Sequence, residues 1–314
     1  MQKLLKEYKV FSILFVIQAK NWLASPMNIF LGVFITFYTV LCWLTFKDGD
    51  NFLMISGICV AMTRNSMYIY LRTLLDWKGK TFRDKLQMTN INGVTKQASL
   101  LAFNFVSTLI ICLVLVIISV SFFPGQITWT ANLPMLIFGL IMCWVTCCAT
   151  AIAIYLIIPN AKWSLMFGLL IYFFSTYFLG LGFPFSTITD HQWLNILIYF
   201  HPIRYSINIV QAGYVGATDF KYVIDGNMIV DFKYAGQTWI PIVAAIGVIT
   251  ILIVIILLKI NHERGYKFRS NNSVKIMKSK SKAYIKQIKE TNDINLLREI
   301  REDRMGELKD EMLH

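Results

Sequence analysis

The sequence predicts an all-α polytopic membrane protein: an N-terminal interfacial helix, six transmembrane helices, and re-entrant outer helices before the sixth span. Three observations carry this prediction. Of 314 residues, 56% are hydrophobic and 15% charged, against ~25% charged in soluble domains, and the mean hydropathy is +0.56. Six apolar stretches, 27–46, 51–71, 98–123, 133–158, 163–182 and 240–260, approach the ~20 residues a helix needs to cross a ~30 Å hydrocarbon core. Lys and Arg fall unevenly between the connections, 24 on one side of the six stretches against 4 on the other. Such an excess marks the cytoplasmic face. Both termini are therefore expected in the cytoplasm, and the chain in the plasma membrane. The net charge of +12 is confined to these connections, so it reports topology and not nucleic-acid binding.

Residues 1–26 are expected to form the interfacial helix. Lys3, Lys6 and Lys9 followed by VFSILFVI resemble a signal peptide, but no small-x-small cleavage site follows. Lys20, Asn21 and Trp22 suit headgroup depth, and Ser25-Pro26 is the expected elbow into the first span. The second stretch is the weakest, because Arg64 and Asn65 interrupt it. Arg64 lies close to the cytoplasmic end, where snorkelling to the interface accounts for it; an anionic-substrate site is the alternative.

In the cytoplasmic loop 72–97, apolar residues around Leu71, Leu74, Leu75, Phe82 and Leu86 alternate with charges. That pattern predicts short amphipathic helices broken near Gly79 and Gly93, either a solvated connection or a docking surface. The outer connection 183–239 contains WLNILIYF at 193–200 and an amphipathic run around Ile203–Tyr214, both too short to cross. Short helices that enter the outer leaflet and return satisfy their own backbone hydrogen bonds. From Thr218 to Trp239 turn signals separate β-prone runs, predicting a small outer cap.

The six-span domain is thus expected over 27–261 and a cytoplasmic tail over 262–314. In the tail, 264–289 hold nine Lys/Arg and no acid, which favours contact with anionic inner-leaflet lipid. Residues 290–314 hold eight acids and four bases, with Ile294, Leu297, Met305, Leu308 and Met312 at helical spacing. That suits a partner-binding or self-associating helix, or a solvated one.

Catalytic patterns are missing. Gly79-Lys80-Thr81 has the look of a phosphate-binding loop, but Leu74 stands where the first Gly belongs and no buried strand precedes it. The four histidines form no H-E-x-x-H, there is no G-x-S-x-G, and none of the six stretches holds a carboxylate. The chain is not read as an enzyme, and the lack of intramembrane acids weighs against an ion-coupled carrier. Cys143, Cys147 and Cys148 are the closest thiol group, read as small buried hydrophobes and not as metal ligands; no metal site is predicted.

Taken in order, these features resemble the membrane subunit of an ABC transporter, of the type-2 permease (exporter) family. The layout carries part of the resemblance. The loop carries another: Gly79-Lys80-Thr81-Phe82-Arg83-Asp84-Lys85-Leu86, then Gly93 and Lys96, is similar to the family's charged, glycine-containing stretch before span three. The outer region carries the rest. The family tends to read P…W-L…N-P-L-x-Y…R…G, and this chain has Pro184, Trp193-Leu194 and HPIRYSINIVQAGYVG, with Pro202, Tyr205 and Gly216 in register. His201 replaces the usual Asn, and Gln211 stands where Arg is common. The tail has no counterpart in the family.

The resemblance implies a pump whose ATPase is a separate cytoplasmic protein that binds ATP and Mg, with no cofactor in this chain. A second permease subunit, identical or different, would pair with it around a central path. Gly79, Lys80, Phe82, Arg83 and Leu86 would form the coupling element seated on the ATPase, with the interfacial helix as a second contact. Spans two and five would offer Met54, Met62, Arg64, Asn65, Tyr68, Tyr172, Phe173 and Tyr177 to the path; lipid-facing or interhelical packing is the other reading of each. Met and aromatic surfaces suit export of an amphipathic or hydrophobic cargo such as a peptide, drug or lipid-like molecule. The alternatives are export of a glycan or lipid-linked polymer, a non-transporting membrane scaffold or sensor, and an ion-coupled carrier.

Overall fold

Helices dominate the structure, as they must in an apolar chain with few places to leave a backbone group unpaired. The computed structural model describes residues 2–46, 52–79, 93–122, 130–182, 192–224 and 228–262. The chain divides into two units, Met1–Ile256 and Leu257–His314; in the second, the described residues 257–262 are helical. Lys80, Phe82, Arg83, Leu86, Pro184 and the charged tail lie outside the described residues.

Helix α1 (Gln2–Ala24) carries Leu14, Gln18 and Trp22 at a spacing of four, which puts them on one face. Leu14 and Gln18 are buried. Beside them Phe15 and Trp22 meet Phe103 edge-on, at centroid distances of 5.7 and 6.4 Å. Ser25 is extended and Pro26 opens the next helix, α2 (26–46). A residue before proline is steered away from the helical region, and proline is tolerated in a first helical turn. The chain bends by 82° between α1 and α2, at the residues where the elbow is expected.

Helix α3 (53–79) runs as α-helix over Leu53–Thr63, as π-helix over Arg64–Ile69 and as α-helix again over Tyr70–Gly79. Every residue from Phe52 to Leu71 except Tyr68 is buried. The stretch with the weakest apolar signal is therefore the centre of the bundle, enclosed by neighbours that shield its polar residues.

Helix α4 (Gly93–Phe122) buries Ser99, Leu100, Asn104, Ser107, Thr108, Ile111, Leu115 and Ser119. Phe105, Leu109, Ile110, Leu113 and Ile117 point outward and are exposed. Small and polar residues inward with apolar residues outward is the inverse of a water-soluble helix and suits lipid surroundings. Asn132 caps α5 (Leu133–Ile157), its side chain accepting from the Met135 N–H, and Asn160 caps α6 (Ala161–Phe178) in the same way through Lys162.

Two short helices, α7 (Gln192–Tyr199) and α8 (Arg204–Val215), follow. Then come an antiparallel hairpin of β1 (Lys221–Ile224) and β2 (Met228–Asp231), pairing Lys221 with Asp231 and Ile224 with Met228, and helix α9 (Trp239–His262). Among the described residues, α4, α5 and α9 are long and apolar enough to cross a membrane, and the bent α1–α2 pair adds a fourth if it counts as one span. The stretches 51–71 and 163–182 fall on α3 and α6. Helix α6 has 18 residues, ~27 Å at 1.5 Å per residue, slightly short of a ~30 Å core; α3 carries Arg64, Arg72 and Asp76.

Helix α8 is buried at every residue but Tyr205 because it crosses α5 at backbone contact. A Cβ added at Gly139 would stand 2.8 Å from the Val210 nitrogen, and one at Gly213 2.7 Å from the Leu136 nitrogen. The Gly213 carbonyl accepts the Asn132 N–H at 2.8 Å. Gly216 then ends α8 at φ 74° with the Thr130 carbonyl against it, a conformation and a space that exclude other side chains. Gly213→Ala is expected to cost ~1–3 kcal/mol through overpacking, read as a lower melting temperature in detergent. Gly247→Ala, whose Cβ meets nothing within 4 Å, should be neutral or stabilising. Equal melting temperatures for the two variants would refute the crossing.

Candidate functional site

A π segment shifts the hydrogen-bond ladder by one residue and leaves a carbonyl without its helical donor, a device frequent at functional sites. In α3 that segment begins with Arg64 and Asn65; the Asn65 carbonyl accepts the Tyr70 N–H, and α4 adds further bonds to the same segment. Asn104 Nδ2 donates to the Asn65 carbonyl at 3.2 Å. Asn65 Nδ2 in turn donates to Thr108 Oγ1 at 2.8 Å and Ser107 Oγ at 3.3 Å. Thr108 gives its own proton to the Asn104 carbonyl at 2.7 Å. In the 3.0 Å contact between Ser66 and Thr108, Ser66 is therefore the donor. Helix α5 closes the seam: Trp144 Nε1 donates to Asn104 Oδ1 at 3.0 Å, and the Cys148 thiol points to the same oxygen at 3.5 Å.

On the opposite side of α3, Arg64 is buried. Nη1 donates to the Tyr172 hydroxyl of α6 at 3.2 Å, and the guanidinium carbon lies 5.1 Å from that ring's centroid. Nε has no hydrogen-bond partner. Snorkelling is thus corrected: the side chain turns into the bundle because Tyr172 offers an oxygen and a π face there, and no carboxylate pairs with it among the described residues. A buried guanidinium lacking an acid is a positive centre able to hold an anionic group.

The other residues of spans two and five face different neighbours. The Tyr214 hydroxyl of α8 meets the Met54 sulfur at 3.8 Å, and Met62 lines an apolar cavity. Tyr68 is half-buried against α6, where Gly168 lets Leu71 pack at close range. Phe173 and Tyr177 stack at 6.1 Å on the outward face of α6, 46% and 45% exposed. The cavity beside Met62 has a volume of about 280 Å³ and is walled by apolar residues of α3, α4 and α5, including Ile58, Leu109, Leu113 and Trp144.

In the outer motif Trp193 is exposed and Pro202 half-buried, while Tyr205 donates its hydroxyl proton to the Tyr199 carbonyl at 2.8 Å. His201 is buried and stacks on Phe174 with rings 6° from parallel. Its Nδ1 accepts the Ile203 N–H at 3.3 Å, which leaves the proton on Nε2, 3.2 Å from Ser175 Oγ. Arg204, fully buried, lies with its guanidinium 3.8 Å from the Tyr199 centroid and 5.7 Å from that of Tyr234, and Nη2 donates to the Phe232 carbonyl at 3.4 Å. Asn208 donates to the Tyr234 hydroxyl at 2.8 Å, and burial pushes that phenol up to about 12. Gln211, at the position where the family tends to have Arg, donates to Ser56 at 3.5 Å.

Sequence reasoning missed Asn104, Ser107, Thr108, Trp144 and Arg204. A signal existed for the first three: a polar i, i+3, i+4 set inside a long apolar run marks a face that meets another polar helix. Among the described residues no group of three or more His, Cys, Asp or Glu could hold a metal ion. Against proteins of known kind, no family model, curated protein or solved structure matches the chain.

Two outcomes are expected. Asn104→Leu strands the Trp144 indole N–H and removes the second donor to the Asn65 carbonyl, at a cost of ~1–3 kcal/mol; a thermal unfolding curve matching the parent would refute the seam. For His201, burial pushes the imidazole down to about 4. The unfolded chain, with an ordinary value of ~6.5, takes up the proton first. Stability present above that value is lost as pH falls from ~6.5 toward 4, by up to ~1.4 kcal/mol per pH unit. His201→Asn should flatten that part of a melting-temperature series over pH, and parallel curves would contradict the assignment.

Proposed function

We propose that this chain is the membrane subunit of an ABC exporter in the plasma membrane, working with a separate cytoplasmic ATPase and a second permease subunit. The observation that carries the reading is the order of elements. An amphipathic helix bends by 82° into an apolar one, the central helix ends at Gly79 where the charged stretch begins, and two short helices, an exposed α7 and a buried α8, precede the last apolar helix. Six spans and both termini in the cytoplasm complete this proposed topology.

The apolar cavity of about 280 Å³ and the exposed Phe173–Tyr177 ridge support an amphipathic or hydrophobic cargo, with the ridge turned to the path between two subunits. Arg64, one helix face away, favours a cargo that carries an anionic group. The role of Gly79, Lys80, Phe82, Arg83 and Leu86 is to pass a rigid-body displacement from the ATPase into α3.

The first experiment is a mild-detergent pull-down of the tagged chain from its native membrane. A near-stoichiometric soluble companion carrying G-x-x-x-x-G-K-S/T is expected; recovery of this chain alone, with ATPases present in the lysate, would overturn the reading in favour of a scaffold or ion-coupled carrier. In the reconstituted pair, Gly79→Pro or Phe82→Asp should abolish ATPase stimulation without reducing membrane insertion. Normal stimulation in both variants would remove the coupling role.

A further inference from the structure

The apolar cavity of about 280 Å³ beside Met62 has the form of a groove. Ile58 and Met62 of α3 make a buried floor. Phe105, Leu109 and Leu113 of α4 form one lip, Ile137 and Ile141 of α5 the other, and all five are exposed. Spacings of three and four put each lip on one helix face. Both helices are long and apolar enough to cross a membrane, so the groove opens toward lipid.

The groove is also dry. Two side chains of its wall, Thr108 and Trp144, carry O–H or N–H groups, and both groups are spent in the seam. Thr108 Oγ1 donates to the Asn104 carbonyl and accepts from Asn65 and Ser66, while the Trp144 N–H goes to Asn104 Oδ1. Cys112 adds only a weak thiol donor. A buried water needs about two to four polar partners, so the occupant is apolar. The volume is nearly twice the ~150 Å³ of a void that takes up benzene.

Position along the helices decides which apolar group fits. From Phe105 to Val116 the groove follows α4 for ~17 Å. Val116 stands six residues before the end of α4 at Phe122, and Ile137 four residues after the start of α5 at Leu133. That end therefore lies ~6–9 Å inside the helix termini. The other end is closed near mid-helix by the Phe105 and Trp144 rings, edge to face at 5.2 Å. A slot of this length covers one ~15 Å half of the hydrocarbon core and stops at the middle. A helix of a second copy is ~10–12 Å wide and runs through both halves. A lipid acyl chain is narrow, lies along the helices and belongs to one leaflet.

We propose that the groove between α4 and α5 seats one acyl chain of a membrane lipid, drawn from the leaflet at the C-terminal end of α4, with its terminal methyl against the Phe105–Trp144 pair. The proposal rests on α4 and α5 as spans, and the exporter reading does not enter it. Thr108 and Trp144 face the chain on one side and the seam on the other, so a seated lipid stabilises the folded bundle at its polar centre.

The test is native mass spectrometry of the full chain in a steroid-based detergent, titrated with dioleoyl phosphatidylcholine or dioleoyl phosphatidylglycerol. The parent is expected to keep one lipid of either kind at an activation that strips the rest, because the seat reads the chain and not the headgroup. Leu113→Trp and Ile141→Trp, one on each lip, fill the groove from exposed positions and should lose that lipid. Ile110→Trp, exposed on α4 outside the groove, should keep it. Melting temperature gives an independent reading: either lipid should raise it in the parent and in Ile110→Trp, and in neither lip variant. A parent that keeps no lipid, or lip variants that keep it as Ile110→Trp does, would overturn the proposal. Retention of phosphatidylglycerol alone would overturn the chain as the recognised group. Lip variants that split a dimer of the chain while lipid retention stays unchanged would give the groove to a second copy.

Discussion

The packing of this molecule depends on one constraint: a helix that carries Arg, Asn and Ser at its centre must be surrounded by groups that satisfy them. In α3 the Asn65 carbonyl accepts the Tyr70 N–H across the π turn, and Asn104 of α4 adds a second donor to the same oxygen. That single contact sets the rotation of α4, since with Asn104 inward Ser107 and Thr108 also reach Asn65 while Leu109 and Leu113 turn out. It also sets α5, because the amide oxygen of Asn104 accepts the Trp144 indole N–H. Apolar packing tolerates sliding and rotation; a closed set of directional bonds does not. The seam therefore gives three apolar helices one register where many would bury similar area.

The outer region is organised by a different solution to the same problem. Arg204 is fully buried, and its charge is met by the faces of Tyr199 and Tyr234 and the Phe232 carbonyl. These partners come from α7 and from the segment that follows the hairpin, so the guanidinium ties α8 to two other pieces of the outer connection. Gly139 and Gly213 then let α8 approach α5 to backbone distance, where weak but numerous contacts replace the hydrophobic effect that is lost in lipid.

The segments legible in sequence were those with local causes. Ser25-Pro26 sets an elbow because proline steers the residue before it out of the helical region, and the runs at 193–200 and 203–214 are too short to cross. What was misread depended on partners far along the chain. Arg64 looked like a snorkelling side chain because hydropathy records distance to the end of a helix; Tyr172, 108 residues away, decides where it points. Arg204 looked unremarkable for the complementary reason: its partners Phe232 and Tyr234 belong to a segment whose own pattern said only that it turns. Asn104 shows the intermediate case, since its spacing with Ser107 and Thr108 was visible while its partner helix was not.

The two kinds of contact also determine what moves together. Helices α3, α4, α5 and α8 share directional bonds or backbone contact, whereas α9 exposes most of its apolar length, α2 exposes much of its own, and α6 adds two polar links, Arg64 to Tyr172 and His201 to Ser175, to its packing. A displacement entering the bonded group is passed on whole, because its members have no alternative set of partners; one entering α2 or α9 is absorbed by sliding. Helix α1 joins the bonded group through Phe15 and Trp22 on Phe103 of α4. It also meets α3 across a narrow gap bounded by Gln18, Trp22, Asn65, Thr73 and Asn104. In the proposed exporter, α1 and the end of α3 are the two elements that touch the ATPase. Both reach the seam directly, so a movement of either one arrives at Asn65 and Arg64 without crossing a compliant contact, and the polar centre is the place where ATP-driven displacement would be felt first.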